Sequence, residues 1–339
     1  MIPLSRIRDA AARIAGKVHR TPLLTAATLG ARVGAALHLK CENLQKTGSF
    51  KPRGALNKVL TLSPEERARG LVTVSAGNHA QALAWAARIA GAACTVVMPS
   101  GAPASKIEAT RDYGAEIVLH DDRATLFDKL AEVRDAGGLC FVHPFDDAEI
   151  IAGAGTTGLE ILEDLPDADV VVVPIGGGGI LSGIASAVRQ IRPGARLVGV
   201  ELEEGPGMAP ALAAGMPVTV TRPWSTIADG MTPPFVGALP LEIVREAVDD
   251  VVGVSEAAIV EAMKLLMTRA KLYVEGAGAA ATAALLDGKV RVPAGARVVA
   301  LISGGNVDLA RVGSGLNVCA ELETDRFPVQ KVSGEDLTP

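Results

Sequence analysis

The sequence of 339 residues has no excess of basic side chains, because its 33 lysines and arginines are outnumbered by 38 aspartates and glutamates. Nucleic acids and anionic membrane surfaces attract proteins through basic faces. A formal net charge of −5 therefore argues against both kinds of partner. We expect no nucleic-acid partner and no membrane partner, and a small molecule is the favoured kind of ligand.

Cysteine is also scarce. Cys41, Cys94, Cys140 and Cys319 lie far apart, with no CxxC pair and no histidine at metal-ligand spacing. This pattern indicates neither a disulfide framework nor a zinc site. It favours a reducing compartment, and we expect a cytoplasmic protein.

Long apolar runs are absent as well. No stretch reaches the roughly 18 apolar residues that suggest a membrane span, and the N-terminus, MIPLSRIRDA, carries charges where a secretory signal needs an apolar segment. Hydrophobic residues still make up 49% of the chain. The sequence therefore predicts a soluble globular protein with a large core, divided into about two domains.

What the sequence does have is an alternation of β-branched and alanine-rich segments. The strand-like LVTVSA, CTVVMP, AEIVLH and LCFVHP are separated by helical segments, and a second series runs through TTGLEILEDL, ADVVVVPI, ILSGIASAVRQI and ARLVGVEL to ARVVALIS. The strands are continuously apolar, which indicates that helices cover both faces of each sheet. The predicted fold class is α/β, with two open, mostly parallel, three-layer sheets.

Ligands of such sheets gather at the carboxyl ends of the strands, where the strand-to-helix turns lie. The turn in VVVVPIGGGGILSGI contains Gly176, Gly177, Gly178 and Gly179. Its backbone N–H groups can converge on a phosphate beside the positive end of the next helix. The spacing fits neither a dinucleotide fingerprint nor a Walker loop. A flexible or tightly packed turn is the alternative interpretation.

Two further turns carry polar groups. SAGNHAQA contains Ser75, Asn78 and His79, which suit a carboxylate or a ring hydroxyl, although an ordinary capped helix start has the same composition. LISGGNVD contains Ser303, which a simple tight turn would also explain. Together with a lysine from QKTGSFKPRGA, these turns match pyridoxal phosphate. Its aldehyde needs an amine, while its phosphate, ring hydroxyl and ring nitrogen need separate partners.

Five segments resemble motifs of one family: ENLQKTGSFKPRGA, SAGNHAQALA, PIGGGGILSGI, TIADG and LISGGN. They are similar to the fold type II pyridoxal-phosphate enzymes, which are tryptophan synthase β-like, and specifically to the threonine dehydratase (threonine ammonia-lyase) and serine racemase group. The resemblance implies a cofactor in the cleft between a large domain of residues 1–62 and 148–315 and a small domain of residues 63–147. It also implies a homodimer. Residues 316–339 are expected to form a tail, with no regulatory domain.

The resemblance assigns a role to individual residues. It implies that Lys51, rather than Lys46, is the Schiff-base lysine. Around the cofactor it places Phe50 by the ring, Asn78 at the ring hydroxyl, Gly176, Gly177, Gly178 and Gly179 at the phosphate, Gly230 against the opposite ring face and Ser303 at the ring nitrogen. The substrate carboxylate would be held by Ser75, Gly77, Asn78 and His79.

The implied reaction is the dehydration and deamination of L-threonine to 2-oxobutyrate and ammonia, and of L-serine to pyruvate, with Lys51 as the base that removes the α-proton. Racemisation requires a second acid on the opposite face, and the racemase members use a serine just before GNH, where this chain has Ala76. The alternatives are a serine racemase, an ammonia-lyase for hydroxyaspartate or another hydroxy-amino acid, and a non-catalytic protein that binds some other phosphate.

A divalent cation, Mg or Mn, is bound in some members by a glutamate, a backbone carbonyl and an aspartate. Glu201 and Gly205 stand at the first two positions, but Gly207 occupies the third. Glu203 or Glu204 could supply oxygen ligands, and a solvated acidic loop is the alternative. The cation is therefore treated as optional.

Overall fold

The structure is a computed structural model that describes residues 1–122, 124–220, 226–309 and 312. The strands are β1 Leu23–Thr25, β2 Ala36–Cys41, β3 Leu71–Val74, β4 Cys94–Pro99, β5 Glu116–His120, β6 Cys140–Phe141, β7 Val170–Pro174, β8 Arg196–Leu202, β9 Asp250–Val254 and β10 Arg297–Ile302. The α-helices are α1 Leu4–Ile14, α2 Ala27–Val33, α3 Lys51–Thr61, α4 Pro64–Ala68, α5 Asn78–Ala90, α6 Ala104–Asp112, α7 Leu126–Gly137, α8 Ala148–Asp164, α9 Gly179–Ile191, α10 Met208–Ala214, α11 Ala238–Ala247, α12 Glu256–Leu265 and α13 Gly276–Leu286.

The strands form two sheets. One has six strands in the order β1-β2-β10-β7-β8-β9, and the other has four in the order β5-β4-β3-β6. Only the edge pair β1 and β2 is antiparallel among the described strands. The predicted α/β class with two mostly parallel sheets is confirmed.

Both sheets are covered on both faces. In β7, Val170 and Val172 pack into a cluster with α12 and α13, whereas Val171 and Val173 pack into another with α8 and α9. The four-stranded sheet repeats this arrangement, with α5 on one face and α7 on the other. Because successive side chains of a strand point to opposite faces, a strand covered on both sides is apolar at most positions. This is the physical reason for the continuous apolar runs in the sequence.

Some elements differ from the sequence-based expectations. The pattern did not indicate β1, β2 or β9, and it started the second series at TTGLEILEDL, whereas α8 begins at Ala148. Asp147 sets that start, because its side chain accepts hydrogen bonds from the N–H groups of Glu149 and Ile150 at 2.8 and 3.0 Å. Such a cap satisfies first-turn N–H groups that have no partner within the helix.

The four-stranded sheet lies within residues 71–141, and the six-stranded sheet takes strands from both sides of that segment. The division at 62 and 147 stays a prediction. The predicted tail at 316–339, including Cys319, lies outside the described residues. Of the cysteines inside them, Cys41, Cys94 and Cys140 are free. No helix in the described ranges has the length and apolar character needed to cross a membrane.

Candidate active site

The helix α3 begins at Lys51, and its start is attached to the turn that follows β10. The Phe50 N–H donates to the Ser303 carbonyl oxygen at 3.0 Å, and Ser49 forms an isolated antiparallel bridge with Gly304. These bonds bring two segments that are distant in the sequence to one place. They put Lys51 next to the Ser303 turn.

The Lys51 amine lies in a restricted environment. Its Nζ donates to the Pro144 carbonyl oxygen at 2.8 Å and lies 5.2 Å from the centre of the Phe50 ring. Burial lowers the pKa of Lys51 to about 8, because removing the ammonium from water disfavours the charged form. A neutral lysine amine is therefore accessible near neutral pH, as a nucleophile or a base requires.

The four glycines after β7 are closely packed. A Cβ on Gly176 would lie 2.9 Å from the Gly230 carbonyl oxygen, and one on Gly177 would overlap the Phe145 ring. Gly178 has φ +95°, a backbone conformation that glycine adopts without strain. A tightly packed turn is thus present, and the glycine content alone does not argue for a phosphate.

The backbone N–H groups of the same turn are more informative. Within the described part of the chain, none of the N–H groups of residues 176–179 donates to a protein acceptor. Gly177, Gly178 and Gly179 are nevertheless buried, and α9 begins at Gly179. Buried N–H groups normally have partners, and unpaired ones at a helix start suit an anion. The turn can therefore hold a phosphate.

The SAGNHAQA turn forms the start of α5. The Ser75 Oγ accepts from the Gly77 N–H at 3.2 Å. His79 is buried, and its Nε2 lies 3.4 Å from the Val142 carbonyl oxygen. Burial, together with the charge of Lys51, holds the pKa of His79 well below its usual value. Its imidazole is therefore neutral, so any attraction for a carboxylate has to come from the N–H groups of the turn.

Asn78 is the first residue of α5, and both the nitrogen and the oxygen of its side-chain amide form hydrogen bonds with other side chains. Its Nδ2 donates to Oε1 of Glu275 at 2.7 Å, and its Oδ1 accepts from Nδ2 of Asn306 at 2.8 Å. Glu275 is 3% exposed and comes directly before α13. The turns after β3 and β10 are therefore joined through these three side chains.

Ser303 and Gly230 lie beside one another. Ser303 is buried, and its Oγ donates to the Ala277 carbonyl oxygen at 3.3 Å. A Cβ on Gly230 would lie 3.0 Å from Cβ of Ala277. Since the Gly230 carbonyl also approaches Gly176, the three predicted cofactor contacts in these turns belong to one region.

The predicted cation ligand Glu201 accepts three backbone hydrogen bonds. They come from the N–H groups of Gly207 and Met208 at 2.8 and 2.7 Å, and from that of Ala209 at 3.0 Å. These donors belong to the start of α10, and their partial positive charge opposes a cation at the same oxygens. No group of three or more His, Cys, Asp or Glu side chains in the described ranges could hold a metal.

Sequence patterns did not indicate Glu275, Pro144 or Phe145 as parts of the site, whereas Asn306 belongs to the LISGGNVD turn that they did indicate. Pro144 contributes only a carbonyl oxygen, which no side-chain pattern reveals. Glu275 did leave a signal: it is the single charged residue in YVEGAGAAATAALL, immediately before a helix that is buried over most of its length. A lone carboxylate in an otherwise apolar segment requires a buried partner.

The site thus combines an amine of lowered pKa, a turn of unpaired N–H groups and a buried hydroxyl, around which three strand-to-helix turns meet. An aldehyde that carries a phosphate and a polar ring would find one partner for each of its functional groups in this set. The residues present therefore fit pyridoxal phosphate.

Comparisons with known proteins agree with this chemistry. A family model described as "Pyridoxal-phosphate dependent enzyme" matches residues 14–304. The catabolic L-threonine dehydratase TdcB of Escherichia coli K12 is 46% identical over 313 residues, covering 92% of this chain and 95% of that protein. A threonine deaminase structure from T.th. superposes with a TM-score of 0.85 at 41% identity, covering 91% and 99% of the two chains. Maize serine racemase gives 0.86 at 38% identity, covering 95% and 98%.

Proposed function

Because the chain belongs to the pyridoxal-phosphate dependent enzyme family, we propose that it is an ammonia-lyase that converts L-threonine to 2-oxobutyrate and ammonia. We propose that L-serine is a second substrate, which gives pyruvate. The names of the relatives at more than 40% identity support this substrate class. The observation that carries the chemistry is the Lys51 amine, which lies among the three turns.

In this proposal the Lys51 amine would hold the cofactor, and the same amine would serve as the base for the α-proton of the substrate. When bound, the cofactor supplies an electron sink that makes the α-proton acidic. A base works only when unprotonated, and lowering a pKa from 10.5 to about 8 makes the neutral amine roughly three hundredfold more abundant near neutral pH. Its bond to the Pro144 carbonyl fixes the direction of one N–H group of the amine.

The remaining roles follow from the donors that each turn offers. The N–H groups of residues 176–179 would hold the phosphate, and the Ser303 hydroxyl would serve the ring nitrogen. Phe50 and Gly230 would pack against the ring, and Asn78 would serve the ring hydroxyl. The first-turn N–H groups of α5, with Ser75, Gly77 and His79 around them, hold the substrate carboxylate, because a helix start favours negative charge.

The second candidate is a serine racemase, which the similarity to the maize enzyme keeps under consideration. Ala76 argues against it, since a methyl group cannot return a proton to the opposite face of the carbanion. The neighbouring Ser75 is a poor substitute, because adjacent residues at the end of an extended strand point to opposite sides. Elimination of the β-hydroxyl should therefore dominate over racemisation. The homodimer, the cytoplasmic location and an optional cation at Glu201 and Gly205 stay predictions.

The test compares Lys51→Ala with Lys46→Ala, a change to the other lysine of the same turn. Lys51→Ala should fold, lose the borohydride-sensitive visible absorbance of bound cofactor, and form no 2-oxobutyrate from L-threonine in a coupled reduction assay. Lys46→Ala should keep the visible absorbance of bound cofactor and should still form 2-oxobutyrate. Full turnover by Lys51→Ala would refute the proposal, as would a wild-type protein that binds no pyridoxal phosphate.

A further inference from the structure

Glu275 is a buried carboxylate that the proposed reaction does not use. It directly precedes α13, yet its side chain makes no capping bond to that helix. Instead its Oε1 accepts from Nδ2 of Asn78 at 2.7 Å. Among the described residues no cationic side chain bonds to this carboxylate, and burying it to 3% exposure is costly, so its burial needs an explanation.

The turns around the carboxylate are those that surround the proposed cofactor ring. A Cβ on Gly304, the residue after Ser303, would overlap Oε1 of Glu275. A Cβ on Gly230 would lie 3.9 Å from the same oxygen. Glu275 is therefore enclosed between the turn proposed to face the ring nitrogen and the one proposed to face the ring.

The contacts of Asn78 determine which way its amide points. Its Oδ1 already accepts from Asn306, whose Nδ2 also donates to the Thr47 carbonyl oxygen at 2.7 Å. Its Nδ2 donates one hydrogen to Glu275 and has one left. A flipped amide would put Oδ1 against the carboxylate and Nδ2 against another donor, and both contacts are repulsive.

We propose that Glu275 is a positioning residue that fixes the Asn78 amide so that it presents an N–H donor, and never an acceptor, to the ring hydroxyl of the cofactor. This inference rests on the proposed function and adds a residue to it. A donor at that position stabilises the ring oxygen as an anion and strengthens cofactor binding.

The charges that face Glu275 make its state sensitive to pH. Burial and the nearby Asp229 raise the pKa of Glu275 to about 7, while Lys106 and the bonds from Asn78 and the Asn306 backbone oppose that rise. Lys106 belongs to α6 and bonds to Asp229 at 2.6 Å. Below about pH 7 the carboxyl gains a proton and no longer enforces the amide orientation.

The experiment uses the holoenzyme and follows the visible absorbance of bound cofactor across the neutral pH range, without substrate. The wild type should show a transition centred near pH 7. Glu275→Gln, which keeps the shape and removes the charge, should lack this transition and resemble the low-pH wild type at every pH. Its dissociation constant for pyridoxal phosphate, measured on the reconstituted apoprotein, should rise about tenfold or more.

The control is Glu163→Gln, which removes the same charge from a side chain that is 60% exposed and pairs with Arg20. It should keep the wild-type transition and affinity. If Glu275→Gln does not fold, Glu275→Asp serves instead: its shorter side chain should weaken cofactor binding but retain a titrating carboxyl.

A Glu275→Gln holoenzyme with the wild-type transition and affinity would overturn this inference while leaving the proposed function intact. Failure of the wild type to bind pyridoxal phosphate at all would overturn both, and Lys51→Ala reports on the proposed function separately.

Discussion

Replacing Arg53 by methionine should destabilise the protein strongly, because Arg53 is the centre of a buried charge network. It is 1% exposed and makes two hydrogen bonds to Glu42 at 2.8 Å. It also makes two to Glu160, at 2.7 and 2.9 Å. Lys40, which is 0% exposed, donates to Glu160 at 2.6 Å. The four side chains together are neutral.

Arg53→Met fills a similar volume but leaves two carboxylates with one cation. Removing one partner of a buried ion pair lowers the free energy of unfolding by about 3–5 kcal/mol, because an uncompensated charge remains in the interior. The double variant Arg53→Met with Glu42→Gln restores neutrality, with Lys40 and Glu160 still paired. Its destabilisation should therefore be smaller than the sum of the two single changes by about 1–3 kcal/mol.

The assay is urea-induced unfolding, followed by far-UV circular dichroism, of Arg53→Met, Glu42→Gln and the double variant. Arg134→Met is the control, because Arg134 forms an exposed pair with Asp135 and its loss should leave the midpoint unchanged within error. A loss of less than about 1 kcal/mol in Arg53→Met, or strict additivity in the double variant, would contradict the reasoning.

Two further predictions concern the site. Ala76→Ser should add D-serine to the products formed from L-serine, measured by chiral chromatography beside pyruvate; rapid D-serine formation by the wild type would contradict the assignment as a lyase. Gly304→Ala should weaken cofactor binding by about tenfold or more, because the new methyl group overlaps the Glu275 carboxylate. The control is Gly194→Ala, which should bind the cofactor like the wild type because nothing lies within 4 Å of its new methyl group. Equal affinities in the two glycine variants would show that the Glu275 contact does not matter for binding.

Local sequence was sufficient for the elements whose pattern is strong. The strands β3, β4, β7, β8 and β10 follow from apolar runs, since a strand covered on both faces is apolar at most positions. The position of Lys51 near a glycine-rich turn followed from motif resemblance and from the tendency of strand-to-helix turns to share one edge of a sheet. These features depend on neighbours within a few residues, or on a rule that applies to all sheets of this class.

The short edge strand β1 escaped detection because three residues give no usable period. The hydrogen bonds of Glu201 could not be foreseen either, since its three N–H partners come from a helix start whose direction the sequence does not give. In both cases the local pattern was compatible with more than one arrangement of the backbone.

The amino-acid sequence by itself thus determined the fold class, the alternation of elements and the kinds of group available for chemistry. Only the tertiary structure decided which groups meet: that the Pro144 carbonyl accepts from Lys51, and that Glu275 bonds to Asn78. The reason is that hydrogen bonds act over about 3 Å, while these partners are 93 and 197 positions apart in the chain. Their contact depends on how both sheets pack, which no local pattern encodes.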